Sequence, residues 1–285
     1  MSPVPHGQGK ANILIIGGGG IGAITALNLT VGGTATVTLV LRSNYDIVQK
    51  RGYRIDSVDH GRLEGWRPHY MLSAVPNVSE AEAQAFDYIV CTTKTIQEAK
   101  PSTADLIRPA VTSGRTTIVL VQNGLNIEAP HLELFPDNVV LSGISWMGSC
   151  EREKGIVVQD YTDKLLLGPF RNMKLEPEWE AEVAKDFMER YRAGGKAEVV
   201  FDHNVGRTRW DKLLYNATVN PLCAILEMSV GDLGGSGVAE TIIRPAVLEL
   251  VSIAGSLGIE IEDDKVEATL QAVMAGGNFE PRQPQ

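Results

Sequence analysis

Three polar residues at four-residue intervals, Lys212, Asn216 and Asn220, are the part of this sequence best suited to chemistry. An ammonium can stabilise or protonate an oxygen on which negative charge develops, and two amides can hold both the lysine and a bound molecule in register. In an α-helix each four-residue step drifts by only about 40°, so the three residues fall on one stripe. They stand within Arg207-Thr-Arg-Trp-Asp-Lys-Leu-Leu-Tyr-Asn-Ala-Thr-Val-Asn-Pro-Leu222, and no charged residue occurs between Lys212 and Glu227. Leu213, Leu214, Ala217, Ala224 and Ile225 make an apolar face beside the stripe, while Tyr215, Val219 and Leu222 make the opposite flank largely apolar. The pattern predicts a helix with no solvent face. Unpaired burial of such polar groups costs several kcal/mol, so the stripe must meet a polar cleft or a partner. A lone helical lysine is ordinarily solvated; the two amides and the missing charge set Lys212 apart.

Such a stripe needs elements to hold a second reactant against it, and the first half of the chain supplies a candidate. Ala11-Asn-Ile-Leu-Ile-Ile16 is a short apolar run rich in branched residues, followed by Gly17-Gly-Gly19-Gly20-Ile21-Gly22 and then by Ala23 to Leu29. Strand, glycine turn and helix in that order let backbone approach a pyrophosphate, which the helix N-terminus receives with amide donors and a favourable dipole. The next strand, Ala35 to Leu41, ends in Arg42-Ser43-Asn44. A fold that binds NAD(H) usually carries a carboxylate there for the ribose hydroxyls. Arg42 and Ser43 instead suit a ribose 2′-phosphate and favour NADP(H).

Further strands are expected at Phe86 to Cys91, leading to Thr92-Thr-Lys94-Thr, and at Thr116 to Val121, leading to Gln122-Asn123-Gly124. Both end at the carboxyl edge where open α/β sheets place ligands, so Lys94 and Asn123 join the candidates. Asn138 to Ile144 reads as a strand, Gly155 to Gln159 with Lys164 to Leu167 as a hairpin-like addition, Pro177 to Arg192 as an amphipathic helix, and Ala197 to Phe201 as a last strand. Tyr53 to Leu72 gives only short strands and loops. Beyond His203 the pattern is helical: to Leu226, from Val238 to Leu257, and from about Asp263 to Met274, with Gly231 to Gly237 as a glycine-rich connector. The expected architecture is α/β, an N-terminal Rossmann doubly wound sheet over residues 1–202 followed by a smaller all-α domain over 203–285.

Bulk properties narrow the partners. The 44% apolar and 21% charged composition is that of a globular protein, and 285 residues allow two cores. A formal charge of -9 argues against a nucleic-acid or anionic-membrane binder. Cys91, Cys150 and Cys223 are too widely spaced for a metal or disulfide framework and read as buried thiols. With no apolar run before Ala11 and no membrane-spanning window, a soluble, cytoplasmic protein is expected.

An N-terminal G-x-G-x-x-G, Arg42 after the second strand, Thr-x-Lys94, Gln-Asn123-Gly and Arg-x-x-Trp-x-Lys212-Leu-x-x-Asn216-x-x-x-Asn220-Pro-Leu, in one order, resemble the ketopantoate reductase (2-dehydropantoate 2-reductase) family from about Ile13 to Leu226. The helical motif is the most specific part. The resemblance implies an NADPH-dependent oxidoreductase acting on a 2-oxo acid held between a Rossmann domain and a helical domain. Lys212 matches the catalytic lysine, with Asn123 beside it in the catalytic set. Asn216, Asn220 and Lys94 match substrate-binding positions. Gly17, Gly19, Gly20, Ile21, Gly22, Arg42, Ser43, Lys94 and Asn123 match cofactor-binding positions. No metal is implied. The family's substrate-binding serine and catalytic glutamate lie further on and are not assigned here, Glu280 standing in a Pro-rich polar stretch. A helical domain smaller than the family's leaves apolar surface for a partner chain, so a homodimer is expected. Two alternatives stay open: a β-hydroxyacid dehydrogenase-like oxidoreductase, and an NADPH-binding protein without reductase activity, acting as a sensor, scaffold or non-redox catalyst.

Overall fold

The computed structural model describes residues 9–79, 84–96 and 100–275, and Glu280 falls outside them. The chain divides into two compact units, Met1–Val205 and Gly206–Gln285.

The first unit begins with β1 (Ala11–Ile16), α1 (Gly20–Val31), β2 (Ala35–Val40) and α2 (Tyr45–Arg51). Three short strands follow, β3 (Tyr53–Ser57), β4 (Gly61–Trp66) and β5 (Tyr70–Leu72), then β6 (Tyr88–Cys91), α3 (Thr103–Ile107) and β7 (Thr117–Leu120). It closes with α4 (Ala129–Leu134), β8 (Val140–Ser145), β9 (Ser149–Glu153), β10 (Ile156–Gln159), β11 (Lys164–Pro169), α5 (Pro177–Arg192) and β12 (Glu198–Phe201). The main sheet has the order β12-β11-β8-β7-β6-β1-β2-β5. From β5 to β8 the neighbours are parallel, whereas β11 runs antiparallel to β8. The chain leaves β1 in one direction through β2 and returns on its other side through β6, so the strand order reverses between β1 and β6.

Parallel strands covered on both faces read as continuous apolar runs, and their alternate residues divide between two cores. Ile13, Ile15, Tyr88, Val90 and Val119 face one core together with Leu27 of α1 and Phe187 of α5. Leu14, Ile16, Ile89, Cys91, Ile118 and Leu120 face the other, with Ala104 and Ile107 of α3. The expected helix over Pro177 to Arg192 is present: Pro177 opens it, Glu178 and Glu180 stand in its first turn, and Arg190 and Arg192 in its last, each suiting the helix dipole.

Behind α1 lies a buried polar cluster. Asn28 donates to the Asp163 carboxylate (2.6 Å), Tyr191 donates to the same oxygen (2.7 Å), and His60 Nε2 lies 2.7 Å from Asn28 Oδ1. Burial, and secondarily the Asp59 carboxylate, raises the Asp163 carboxyl to about 6.

The hairpin expected from Gly155 to Leu167 does not form. Instead β10 joins a second, four-stranded sheet, β4-β3-β10-β9, pairing antiparallel with β9 and parallel with β3, and β11 enters the main sheet between β8 and β12. The two segments alternate as hairpin strands would, but Val157 fills the core beside Ile55 and Leu165 fills the main sheet, so each is held by residues distant in sequence.

The second unit holds α6 (Val205–Leu226), whose first residue is the boundary, then α7 (Val230–Gly235), α8 (Arg244–Ser256) and α9 (Asp263–Met274). The segment read as a glycine-rich connector is largely helical, forming most of α7. Its start is fixed by a capping box in which Ser229 and Asp232 satisfy each other's backbone N–H. A Cβ on Gly234 would come within 2.4 Å of the Val273 carbonyl, so glycine permits the close approach of α7 to α9. A π-helical turn, Ala239–Ile243, leads into α8, and Arg244 bridges Glu240 and Glu267. Leu233, Val247, Ala254, Leu270 and Val273 form the interior of this unit.

Among the described residues no helix is long and apolar enough to cross a membrane. Of the three cysteines Cys91 and Cys223 are buried, but Cys150, in β9, is only half-buried.

Candidate functional site

The glycine turn sits at the carboxyl end of β1, next to the point where the strand order reverses. Its glycines have different tasks. Gly17 has φ +105°, a conformation that L side chains rarely adopt. A Cβ on Gly22 would lie 1.9 Å from the Gly17 carbonyl oxygen, so α1 packs directly on the turn. A Cβ on Gly19 would meet nothing within 4 Å, so this backbone faces open space. Gly19 is also the residue before α1, and it offers no side-chain cap. The first intrahelical bond runs from Ala23 N to Gly19 O (2.9 Å), which leaves the N–H groups of Gly20, Ile21 and Gly22 without an intrahelical acceptor. Open backbone and free amides at a helix N-terminus suit a diphosphate, and a residue with a side chain at 19 would intrude on it.

Neighbouring strand ends add to this edge. Arg42 and Ser43 are exposed just beyond β2. Thr92, after β6, donates its hydroxyl toward Gly17 O (3.0 Å) and Ile16 O (3.1 Å), tying β6 to the turn. Lys94 follows it and is exposed. Gln122, buried at the end of β7, donates to Thr93 O (2.7 Å), which leaves Asn123 exposed at the same edge. The Glu128 carboxylate, buried at the start of α4, accepts from the Ser142 hydroxyl (2.6 Å) and anchors the segment carrying Asn123 to β8. The first unit thus brings Gly17, Gly19, Gly20, Ile21, Gly22, Arg42, Ser43, Lys94 and Asn123 to one edge.

Three residues not singled out from sequence hold the turn from behind. The Gly18 carbonyl accepts from Tyr53 Oη (2.7 Å) and from Asn44 Nδ2 (3.1 Å), and Asn44 Nδ2 also donates to Glu151 Oε1 (2.7 Å). Tyr53 and Glu151 belong to the second sheet. Asn44 follows the Arg42-Ser43 pair directly, but nothing local in the sequence points to Glu151, 107 residues away.

The second unit carries the Lys212, Asn216 and Asn220 stripe on α6. Asn220 Nδ2 donates to Asn216 Oδ1 (3.1 Å), and the buried Asn220 Oδ1 has no hydrogen-bond partner among the described residues. An acceptor so placed is suited to a donor on a bound molecule. Burial, with the Arg209 guanidinium adding to it, lowers the Lys212 ammonium to about 8.

The expectation of a helix without a solvent face is corrected. Trp210, Leu214, Val219 and Cys223 are buried, but Ala217, Pro221 and Ile225 form an exposed row, with Ile225 at 76% exposure. The row is apolar, so charge counting could not reveal it. Pro221 brings no N–H, so the Ala217 carbonyl lacks its helical donor, which an exposed row tolerates.

Residues 13–172 match the family model described as ketopantoate reductase PanE/ApbA, and residues 204–283 match that of its C-terminal domain. The chain belongs to the ketopantoate reductase family. It is 39% identical over 276 residues to an uncharacterised protein of Saccharomyces cerevisiae, covering 89% of this chain and 76% of that one. It is 28% identical over 266 residues to the 2-dehydropantoate 2-reductase of Pyrococcus horikoshii, covering 92% and 79%. Among solved structures, 2-dehydropantoate 2-reductase from Geobacter metallireducens GS-15 matches with TM-score 0.80 and 25% identity, covering 95% of this chain and 85% of that one. D-mandelate dehydrogenase shares the fold at 20% identity, with TM-score 0.78 and coverage of 95% and 83%. The α/β sheet followed by a helical unit is the architecture of ketopantoate reductases.

Proposed function

We propose that the protein is an NADPH-dependent reductase of a 2-oxo acid or related ketone, with Lys212 as the proton donor. Family membership supports the reaction class. The observation that carries the assignment is the α6 stripe, an ammonium lowered toward neutrality and in series with two amides, one of which has a buried, unanswered acceptor.

NADPH, when bound, supplies the hydride. Gly17 to Gly22 and the first amides of α1 hold its diphosphate. Arg42 and Ser43 take the 2′-phosphate, a guanidinium and a hydroxyl standing where a carboxylate would repel it. Lys94 and Asn123 serve the reactive end, binding cofactor and substrate. As negative charge develops on the carbonyl oxygen, the Lys212 ammonium stabilises it and then gives up a proton. Asn216 and Asn220 hold the substrate oxygens and keep the lysine in register.

The test is NADPH consumption with ketopantoate and a panel of 2-oxo acids, comparing the unaltered protein with Lys212→Ala. Turnover that falls about 10²- to 10⁴-fold in the variant is expected. Absence of turnover with every acid sinks the proposal.

A further inference from the structure

We propose that Asn44, Tyr53 and Glu151 form a clamp joining the glycine turn to the Arg42-Ser43 turn, and that Asn44 is the positioning residue on which selection of the 2′-phosphate depends. The inference rests on the NADPH reading above and assigns a task to the second sheet.

Asn44 occupies the N-cap of α2, where an asparagine ordinarily turns its side chain back to accept from the first-turn amides of its own helix. Here it makes no such bond. Its Nδ2 is spent on Gly18 O (3.1 Å) and Glu151 Oε1 (2.7 Å), and the residue is only 4% exposed. Glu151 Oε1 also accepts from Gly155 N (2.8 Å), so the acceptor is held by the turn between β9 and β10. The Gly18 carbonyl is gripped a second time by Tyr53 Oη, and a Cβ on Gly18 would lie 2.0 Å from Leu41 Cδ2 and 2.4 Å from that hydroxyl. The turn is therefore wedged against the end of β2 and the second sheet.

Arg42 and Ser43 precede Asn44 by two residues and one. Fixing the Asn44 amide fixes their backbone relative to Gly18, and so the spacing between the groups that receive the diphosphate and those that receive the 2′-phosphate. NADPH must satisfy both sets at once, whereas NADH uses only the first. Loss of the clamp therefore weakens NADPH more than NADH.

The experiment is calorimetric titration of NADPH and NADH into the unaltered protein and into Asn44→Ala, Tyr53→Phe, Glu151→Ala and Glu151→Gln, each checked for cooperative thermal unfolding. Asn44→Ala and Glu151→Ala are expected to weaken NADPH about tenfold and NADH less than about threefold, lowering the preference. Glu151→Gln keeps the acceptor and restores the preference. Tyr53→Phe removes the second grip on Gly18 O and a long contact with Asn44 Nδ2 (3.5 Å) but leaves the Asn44–Glu151 bond in place, so it weakens both nucleotides alike. Where Asn44→Ala does not fold, the Glu151 pair decides. Equal weakening of both nucleotides by Asn44→Ala and Glu151→Ala, or no weakening, overturns the clamp and leaves the NADPH reading standing. Failure of the unaltered protein to prefer NADPH overturns that reading and the clamp with it.

Discussion

The pH dependence of carbonyl reduction offers the sharpest test of Lys212. The ordinary lysine value is 10.5, and burial with the nearby Arg209 guanidinium brings Lys212 to about 8. That lowering corresponds to roughly 3 kcal/mol in favour of the neutral amine. The proton donor is the charged form, so activity is full below pH 8 and falls tenfold per unit above it. At about pH 10 only about 1% of the ammonium remains, and kcat/KM for 2-oxo acid reduction should lie about 100-fold below its neutral plateau. An unperturbed lysine would keep about three quarters of its protons there. Lys212→Arg retains the charge but not the acid, so it should lose the alkaline limb together with about 10²- to 10⁴-fold of rate. Initial rates of NADPH consumption across the alkaline range measure both. A profile flat to about pH 10, or an alkaline limb that survives in Lys212→Arg, refutes the assignment.

The glycine turn and the buried cluster behind α1 give three further expectations. Gly19→Ala adds a Cβ that meets no protein atom within 4 Å, so unfolding should stay within about 0.5 kcal/mol of the unaltered protein while NADPH binding weakens about tenfold or more. Gly22→Ala drives a Cβ against the Gly17 carbonyl and should cost about 1–3 kcal/mol in stability as well as binding; an unchanged melting temperature would contradict the packing described. For Asp163, raised from 3.8 to about 6, the unfolded chain loses its proton first, so stability present below about pH 4 is lost as pH rises through 6. The total is about 3 kcal/mol, of which about 1 kcal/mol falls between about pH 5 and pH 8. The denaturation free energy of the unaltered protein minus that of Asp163→Asn should decline by that amount over this range, and a constant difference would remove Asp163 from the account.

The sequence announced its local features well. Ala11 to Ile16 and its glycines, and the helix from Pro177 to Arg192, carry their signals within a few residues, as apolar runs, turns and charges at helix ends. What it hid is pairing. β10 and β11 alternate like the arms of a hairpin, and pairing with strands outside the segment, as at Ile55 for β10 and at Ser145 and Val199 for β11, puts them in different sheets. The stripe on α6 was legible because polar residues recur there at helical spacing. Its exposed row was not, because Ala217, Pro221 and Ile225 look like core residues. Asn44, adjacent to predicted residues, gave no sign of its bond to Glu151.

That bond bears on how the chain acquires its shape. The glycine turn leaves the ribosome before its supports, for the partners of its carbonyl and of its clamp lie 35 and 107 residues further on from Gly18 and Asn44 respectively. The turn therefore does not gain its full support until Glu151 has been made, and closing such long loops slows folding. During synthesis the nascent protein carries its glycine turn before it has the second sheet that holds the turn from behind.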